Sequence, residues 1–171
     1  MIQDKVIIIV GATGGIGTAL NRQLAPTGVK LVLAARNKVN LATLAEELSG
    51  EVLTVPTDIT QSDQVNALIQ ATLTRFGQID VLVNAVGIGI LKPYNSIEPG
   101  ELEKMLDLNL KGCFYTTQAA AQEMQKRKSG HMLFPMLYLL NLRLYQWKLI
   151  FNLIAICFSS YSCNVENQRL T

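Results

Sequence analysis

A chain of 171 residues, 49% hydrophobic and only 16% charged, is long enough for one domain with a substantial core and too apolar for a disordered segment. Its net charge of +2 gives no electrostatic reason to expect nucleic acid or an acidic membrane surface as a partner. Cys113, Cys157 and Cys163 are odd in number and lack metal-ligand spacing, and Met1 to Lys5 carries no signal-peptide pattern, so a reduced, cytoplasmic setting without a metal is expected.

The first predicted element is a strand, Val6-Ile7-Ile8-Ile9-Val10, the unbroken β-branched run that a parallel strand needs when both its faces are covered. Gly11-Ala12-Thr13-Gly14-Gly15-Ile16-Gly17 comes next, four glycines in seven positions, and then the helix-compatible Thr18 to Leu24. Such a succession makes an anion site, because free backbone N–H groups and the positive end of the helix dipole face the turn. Gly11 lets the chain leave the strand sharply, Gly15 lets a pyrophosphate approach the backbone, and Gly17 lets the helix pack close to the strand. Thr13, Gly14 and Ile16 complete the candidate cofactor contacts in this turn. The motif resembles the T-G-x-x-x-G-x-G loop of the short-chain dehydrogenase/reductase superfamily, with Val10 where that family usually has Thr.

Pro26-Thr27-Gly28 ends the first helix, and Lys30 to Ala35 reads as a second buried strand, completing a βαβ unit. A carboxylate after that strand would accept hydrogen bonds from a ribose 2′-OH, whereas an arginine accommodates a 2′-phosphate. Arg36 stands there, which favours NADP(H) over NAD(H). Asn37 is placed to cap a helix with Leu41, Leu44, Ala45 and Leu48 on its apolar face. Val52 to Pro56 is the third strand, followed by the turn Thr57-Asp58-Ile59-Thr60. The resemblance implies that Asp58 and Ile59 meet the adenine; as residues alone, Asp58 equally suits a turn. Thr60 or Ser62 is expected to cap the next helix, with Val65, Leu68, Ile69 and Leu73 facing inward.

Ile79 to Val83 is a fourth strand ending in Asn84-Ala85-Val86-Gly87, which resembles the family's N-N-A-G signature. By that resemblance Asn84 ties neighbouring strands together, while Ala85 and Gly87 leave room for the ribose and nicotinamide. Ser96 and Glu98-Pro99 open a long helical region running, with a break, to about Lys128. Within it Leu106 to Gly112 resembles the segment whose Asn, here Asn109, maintains a proton relay to the active-site Lys. Ala119, Ala120 and Met124 resemble the face through which such enzymes dimerise, so a homo-oligomer through helix 101–128 is expected.

At His131 the pattern stops. All twelve glycines lie at or before Gly130, and only Glu166 among thirteen acidic residues lies beyond Met132. In the family a fifth strand ends in the catalytic Ser, and a later helix presents Tyr-x-x-x-Lys, the spacing that lets the Lys ammonium depress the Tyr pKa. Neither is recognisable here: Leu133-Phe134-Pro135 interrupts the expected strand, and the nearest imitation, Tyr145-Gln146-Trp147-Lys148, has Lys three residues on. Three readings stay open for Met132 to Thr171: a membrane segment, an unusual helix over the open sheet edge, or an out-of-frame or unspliced continuation. The composition break favours the last, and the apolar portion Leu149 to Phe158, ten residues long, is too short to span a bilayer.

The prediction is therefore an α/β, Rossmann-like doubly wound parallel sheet in the order 3-2-1-4 with a remnant of strand 5. Residues 1–131 form the NAD(P)-binding domain and 132–171 an atypical hydrophobic tail. The resemblance implies hydride transfer between NADP(H), or alternatively NAD(H), and a small carbonyl or alcohol. Without the Ser and Tyr-x-x-x-Lys this chain is expected to be impaired or inert; the alternative is a non-catalytic dinucleotide-binding module or a non-functional fragment.

Overall fold

The computed structural model describes residues 2–90 and 92–134. Its strands are β1 (Val6–Val10), β2 (Lys30–Ala35), β3 (Glu51–Pro56), β4 (Val81–Asn84) and β5 (His131–Leu133). All pair in parallel, in the order β3-β2-β1-β4-β5. The helices are α1 (Gly15–Leu24), α2 (Lys38–Glu47), α3 (Ser62–Phe76), α4 (Pro99–Leu106) and α5 (Cys113–Arg127). This is the doubly wound Rossmann-like fold that the alternation of apolar runs and amphipathic segments predicts.

Every side chain of β1 is buried, and successive ones face opposite layers. Val6, Ile8 and Val10 pack with Val65, Leu68 and Ile69 of α3 and Ala119, Ala120 and Met124 of α5. Ile7 and Ile9 pack with Leu41 and Leu44 of α2, with Leu20 and Leu24 of α1 alongside. Each large aliphatic side chain so placed contributes about 1.5–3 kcal/mol, which makes β1 the spine of both cores. Gly28, at φ +80°, closes the turn after α1 as expected.

Two local details differ from the sequence reading, and a third gives form to one that it expected. Neither Thr60 nor Ser62 caps α3: Gln61 occupies that position without a side-chain cap, because Thr60 is drawn into the Asp58 turn, its N–H and Oγ1 donating to Oδ1 at 3.0 and 2.8 Å. The fifth strand is not interrupted at Leu133: Met132 pairs with Leu82 and Leu133 with Val83, so the sheet runs across the composition break at Met132. The break in the long helix is a π-helical turn, Asp107–Gly112, between α4 and α5. Tyr145 to Lys148, the apolar stretch Leu149 to Phe158, and all other expectations for residues 135–171 lie outside the described residues.

At the edge of the sheet where the strands begin, Asp80 is buried to 4% exposure just before β4. Its Oδ2 accepts the Val6 N–H at 2.9 Å and the Gln78 Nε2 at 2.8 Å, while Lys5 and Arg127 each lie 3.5 Å from Oδ1. The carboxylate thus satisfies the first amide of the central strand and is neutralised from two elements. Both cations are partly exposed, which reduces the worth of the pairs. Asp80→Ala is expected to cost about 2–3 kcal/mol, since a buried N–H loses its acceptor. Urea denaturation checks this, and an unchanged midpoint would contradict the assigned role.

Candidate functional site

Parallel register brings the ends of four strands to one edge: Val10 pairs with Ala34 and with Asn84, and Ala34 with Val55. The chain order reverses between β1 and β4, which is the switch point where open α/β sheets bind ligands. Four connecting loops meet there, after Val10, Ala35, Pro56 and Asn84.

Gly11 leaves β1 at φ +80°, and its N–H and that of Ala12 both donate to the Ala34 carbonyl, at 2.8 and 3.1 Å. A Cβ on Gly17 would lie 2.2 Å from the Gly11 oxygen, so only glycine lets α1 start directly against the strand end. Gly15, by contrast, faces open space, with nothing within 4 Å of a Cβ. Gly14 is the N-cap of α1 and offers no side-chain cap, so the first-turn amides of Gly15, Ile16 and Gly17 have no side chain from the cap to satisfy them. Gly11 gives the chain a sharp exit, Gly17 a tight seat against the strand, and Gly15 an open face. Thr13 is half-buried in the turn, and Ile16 is 40% exposed.

Arg36 is exposed directly after β2 and makes no ion pair among the described residues. Asn37 caps α2, its Oδ1 accepting from Val39 and Asn40 at 2.9 and 3.1 Å. Asp58 and Ile59 lie on the loop after β3. Ile59 is buried; Asp58 is half-buried, holds Thr60 through its carboxylate, and donates its backbone N–H to Gln64 Oε1 at 2.8 Å. The Asx-turn role is therefore present in Asp58 itself.

Asn84 ends β4 at 6% exposure. Its Nδ2 donates to Thr116 Oγ1 of α5 at 3.1 Å, so the side chain ties the strand to a helix rather than to a neighbouring strand. Alternation explains the difference: Asn84 shares a face with Leu82, which packs against α3 and α5. Its Oδ1 is buried without a partner among the described residues. Ala85 is half-buried and Gly87 exposed on the loop beyond it.

Asn109, in the π-helical turn, reaches across to that loop. Its Oδ1 accepts the Ile88 N–H at 2.9 Å and its Nδ2 donates to the Ile88 carbonyl at 2.8 Å, so one side chain supplies the two bonds a neighbouring strand would have made. Ile88 and Thr116 are partners that sequence reasoning missed; the one signal was that Ile88 directly follows the N-A-V-G segment. The sheet edge thus joins the expected residues in loops around one groove, with Arg36 and Asp58 beyond β2 and β3 and Asn84 to Gly87 beyond β4. Among the described residues, no group of three His, Cys, Asp or Glu could hold a metal, and no helix is long and apolar enough to cross a membrane.

A glycine turn opening a helix at the switch point of a parallel sheet defines a dinucleotide-binding α/β protein. The family model for short chain dehydrogenase matches residues 5–134, and the chain belongs to that family. An uncharacterized oxidoreductase of Staphylococcus aureus is 38% identical over 134 residues, 78% of this chain and 58% of its own length. Two solved structures are similar as well. A metagenomic short-chain oxidoreductase in complex with NADP shows 32% identity and a TM-score of 0.72, over 77% of this chain and 62% of that one. A 3-ketoacyl-(acyl-carrier-protein) reductase from Brucella melitensis complexed with NADH shows 29% identity and a TM-score of 0.72, over 75% and 53%. The chain therefore spans somewhat more than half the length of the relatives it matches.

Cys113 opens α5 and is 7% exposed. Burial pushes its thiol up to about 11, against smaller opposing pulls from the Asn84 and Thr117 side chains. At about pH 8 it holds roughly a hundredfold less thiolate than an ordinary cysteine, before any steric protection is counted. Peptide-resolved alkylation by iodoacetamide should therefore modify Cys113 far more slowly in the folded protein than in urea-unfolded protein, its rate climbing with pH. Rapid labelling at neutral pH would refute the burial.

Proposed function

We propose that this chain binds NADP(H) in preference to NAD(H) across the ends of β1 to β4, and that it carries the cofactor half of a carbonyl–alcohol oxidoreductase. The observation that carries the reading is the α1 N-terminus. It is uncapped by any side chain, open at Gly15, and set at the switch point. Family membership supports the rest. The amides from Thr13 to Gly17 hold the diphosphate, with Gly11 shaping their turn. Arg36 takes the 2′-phosphate; Asp58 and Ile59 flank the adenine; Asn84, Ala85 and Gly87 border the ribose and nicotinamide. When bound, the nicotinamide supplies hydride exchange with a small carbonyl or alcohol.

Both amide atoms of Asn109 are committed to Ile88, so its contribution to a proton relay is to hold that loop in place. The relatives were solved with NADP in one case and NADH in another, and Arg36 is what favours NADP(H) here. A second reading is a binding module that holds the dinucleotide without turnover. On that reading residues 132–171 stand as a separate tail after a cofactor domain of residues 1–131. A reducing, cytoplasmic setting accords with the three cysteines. Ala119, Ala120 and Met124, the face expected to dimerise, are instead taken up by the core against β1, so self-association through 101–128 would fall to exposed Leu102, Leu110 and Phe114.

Titration with NADPH, followed by energy transfer to the nicotinamide, tests binding, and a carbonyl panel then separates enzyme from module. Gly15→Val is expected to keep the fold, since its side chain enters open space, yet to weaken NADPH binding by about tenfold or more by blocking the phosphates. Unchanged affinity would remove the loop from the site. Arg36→Asp should weaken NADPH by about tenfold or more while leaving NADH unharmed, because a charge-assisted phosphate contact becomes a repulsion. Equal effects on both nucleotides would reduce Arg36 to a surface residue.

A further inference from the structure

The π-helical turn Asp107–Gly112 touches two of the loops that border the groove, one from its middle and one from its C-terminal end. Asn109 holds Ile88, on the loop after β4, through the paired 2.9 and 2.8 Å bonds. Gly112, three residues on, is buried against Ile59 on the loop after β3. A Cβ there would lie 2.7 Å from Ile59 Cγ1, 2.8 Å from Cδ1 and 3.3 Å from the Ile59 oxygen. Leu108, just before Asn109, packs against the same cluster that contains Ile59. Gly112 also offers its carbonyl to Thr116 Oγ1 at 3.1 Å, the hydroxyl that receives Asn84 Nδ2. Six consecutive residues thus bear on Ile59, Ile88 and, through Thr116, Asn84.

We infer that this turn is a strut joining the adenine and nicotinamide ends of the groove, so that filling one end steadies the other. The inference rests on the cofactor assignment made above, which supplies the names of the two ends. A π-turn suits the task because its widened ring departs from the regular α-helical ladder, and such turns concentrate at functional sites. The two contacts differ in kind. At Gly112 a close steric fit transmits displacement of Ile59, and at Asn109 two hydrogen bonds transmit it to the Ile88 backbone. Gly112 and Asn109 are positioning residues, acting through Ile59 and Ile88.

The Ile88 N–H is itself the reporter, since its exchange with solvent requires the Asn109 bond to open. Adenosine 2′,5′-bisphosphate reaches only the adenine end, and at saturation it should slow Ile88 exchange at least about fivefold in the full chain, a modest coupling by usual standards. In Gly112→Ala, or in Ile59→Val should that variant fail to fold, the slowing at Ile88 should disappear with the probe still saturating. Protection confined to residues 11–17, 36 and 57–60, or slowing that persists undiminished in the variant, would overturn the strut. If the unmodified chain does not bind the probe, the NADP(H) assignment fails and the strut is decided on the protein alone. Gly112→Ala (or Ile59→Val) should then speed Ile88 exchange by a similar factor, about fivefold, and an unchanged rate overturns it.

Discussion

Gly17 has no room for a single methyl group, and that crowding shapes the whole turn above it. A Cβ there would sit 2.2 Å from the Gly11 oxygen and 2.8 Å from the Ala12 Cα, both backbone atoms that cannot swing aside. The helix therefore begins flush against the end of β1, and two of its side chains reach back beneath the turn. Asn21 Nδ2 and Thr18 Oγ1 donate to the Ala12 carbonyl at 3.1 and 3.3 Å. Asn21 is fully buried, and its Oδ1 has no partner among the described residues, a penalty of about 1–3 kcal/mol. The turn is held from below, by backbone packing and one buried amide, and its upper side stays open.

Side chains do similar work along β4. At its beginning Asp80 supplies the carboxylate that the first amide of β1 requires. At its end the side chains of Asn84 and Asn109 replace sheet pairing with contacts to helices, first to α5 and then to the π-turn. The two buried side-chain oxygens without partners among the described residues, those of Asn21 and Asn84, belong to elements that meet at the groove edge. Unsatisfied polar atoms are rare in folded cores and gather where a binding surface constrains the sequence.

The local features of this arrangement were legible in the chain. A run of β-branched residues, a glycine turn and an apolar stripe each report on neighbours within a few positions, so β1, its turn and α1 to α3 could be read directly. The polar ties could not. Asp80 acts on Val6 across 74 positions, Asn84 on Thr116 across 32, and Asn109 on Ile88 across 21. Periodicity carries no trace of such pairings. Even so, strand alternation placed Asn84 on the face of Leu82, toward the helical layer, which a stricter use of the two-residue period would have revealed. The missed α3 cap is a competition of the same local kind: the Asp58 carboxylate holds Thr60 more effectively than the helix end does.

The division of burial between strands bears on how far the groove depends on the chain beyond β4. All five side chains of β1 and four of β2 are buried, whereas β5 contributes only Met132, with His131 and Leu133 exposed on either side. The three-residue β5 adds pairing to the outer side of β4 and one apolar side chain to a core already built around α3 and α5. By area, that is a few kcal/mol at most, about the worth of one buried methionine and a short ladder. The loops around the groove spring from β1 to β4, to whose core β5 adds Met132. The residues proposed to hold a dinucleotide follow β1, β2 and β4, which carry buried side chains, and β3, whose side chains are at most half-buried, so the adenine side of the site rests on the less buried edge of the sheet.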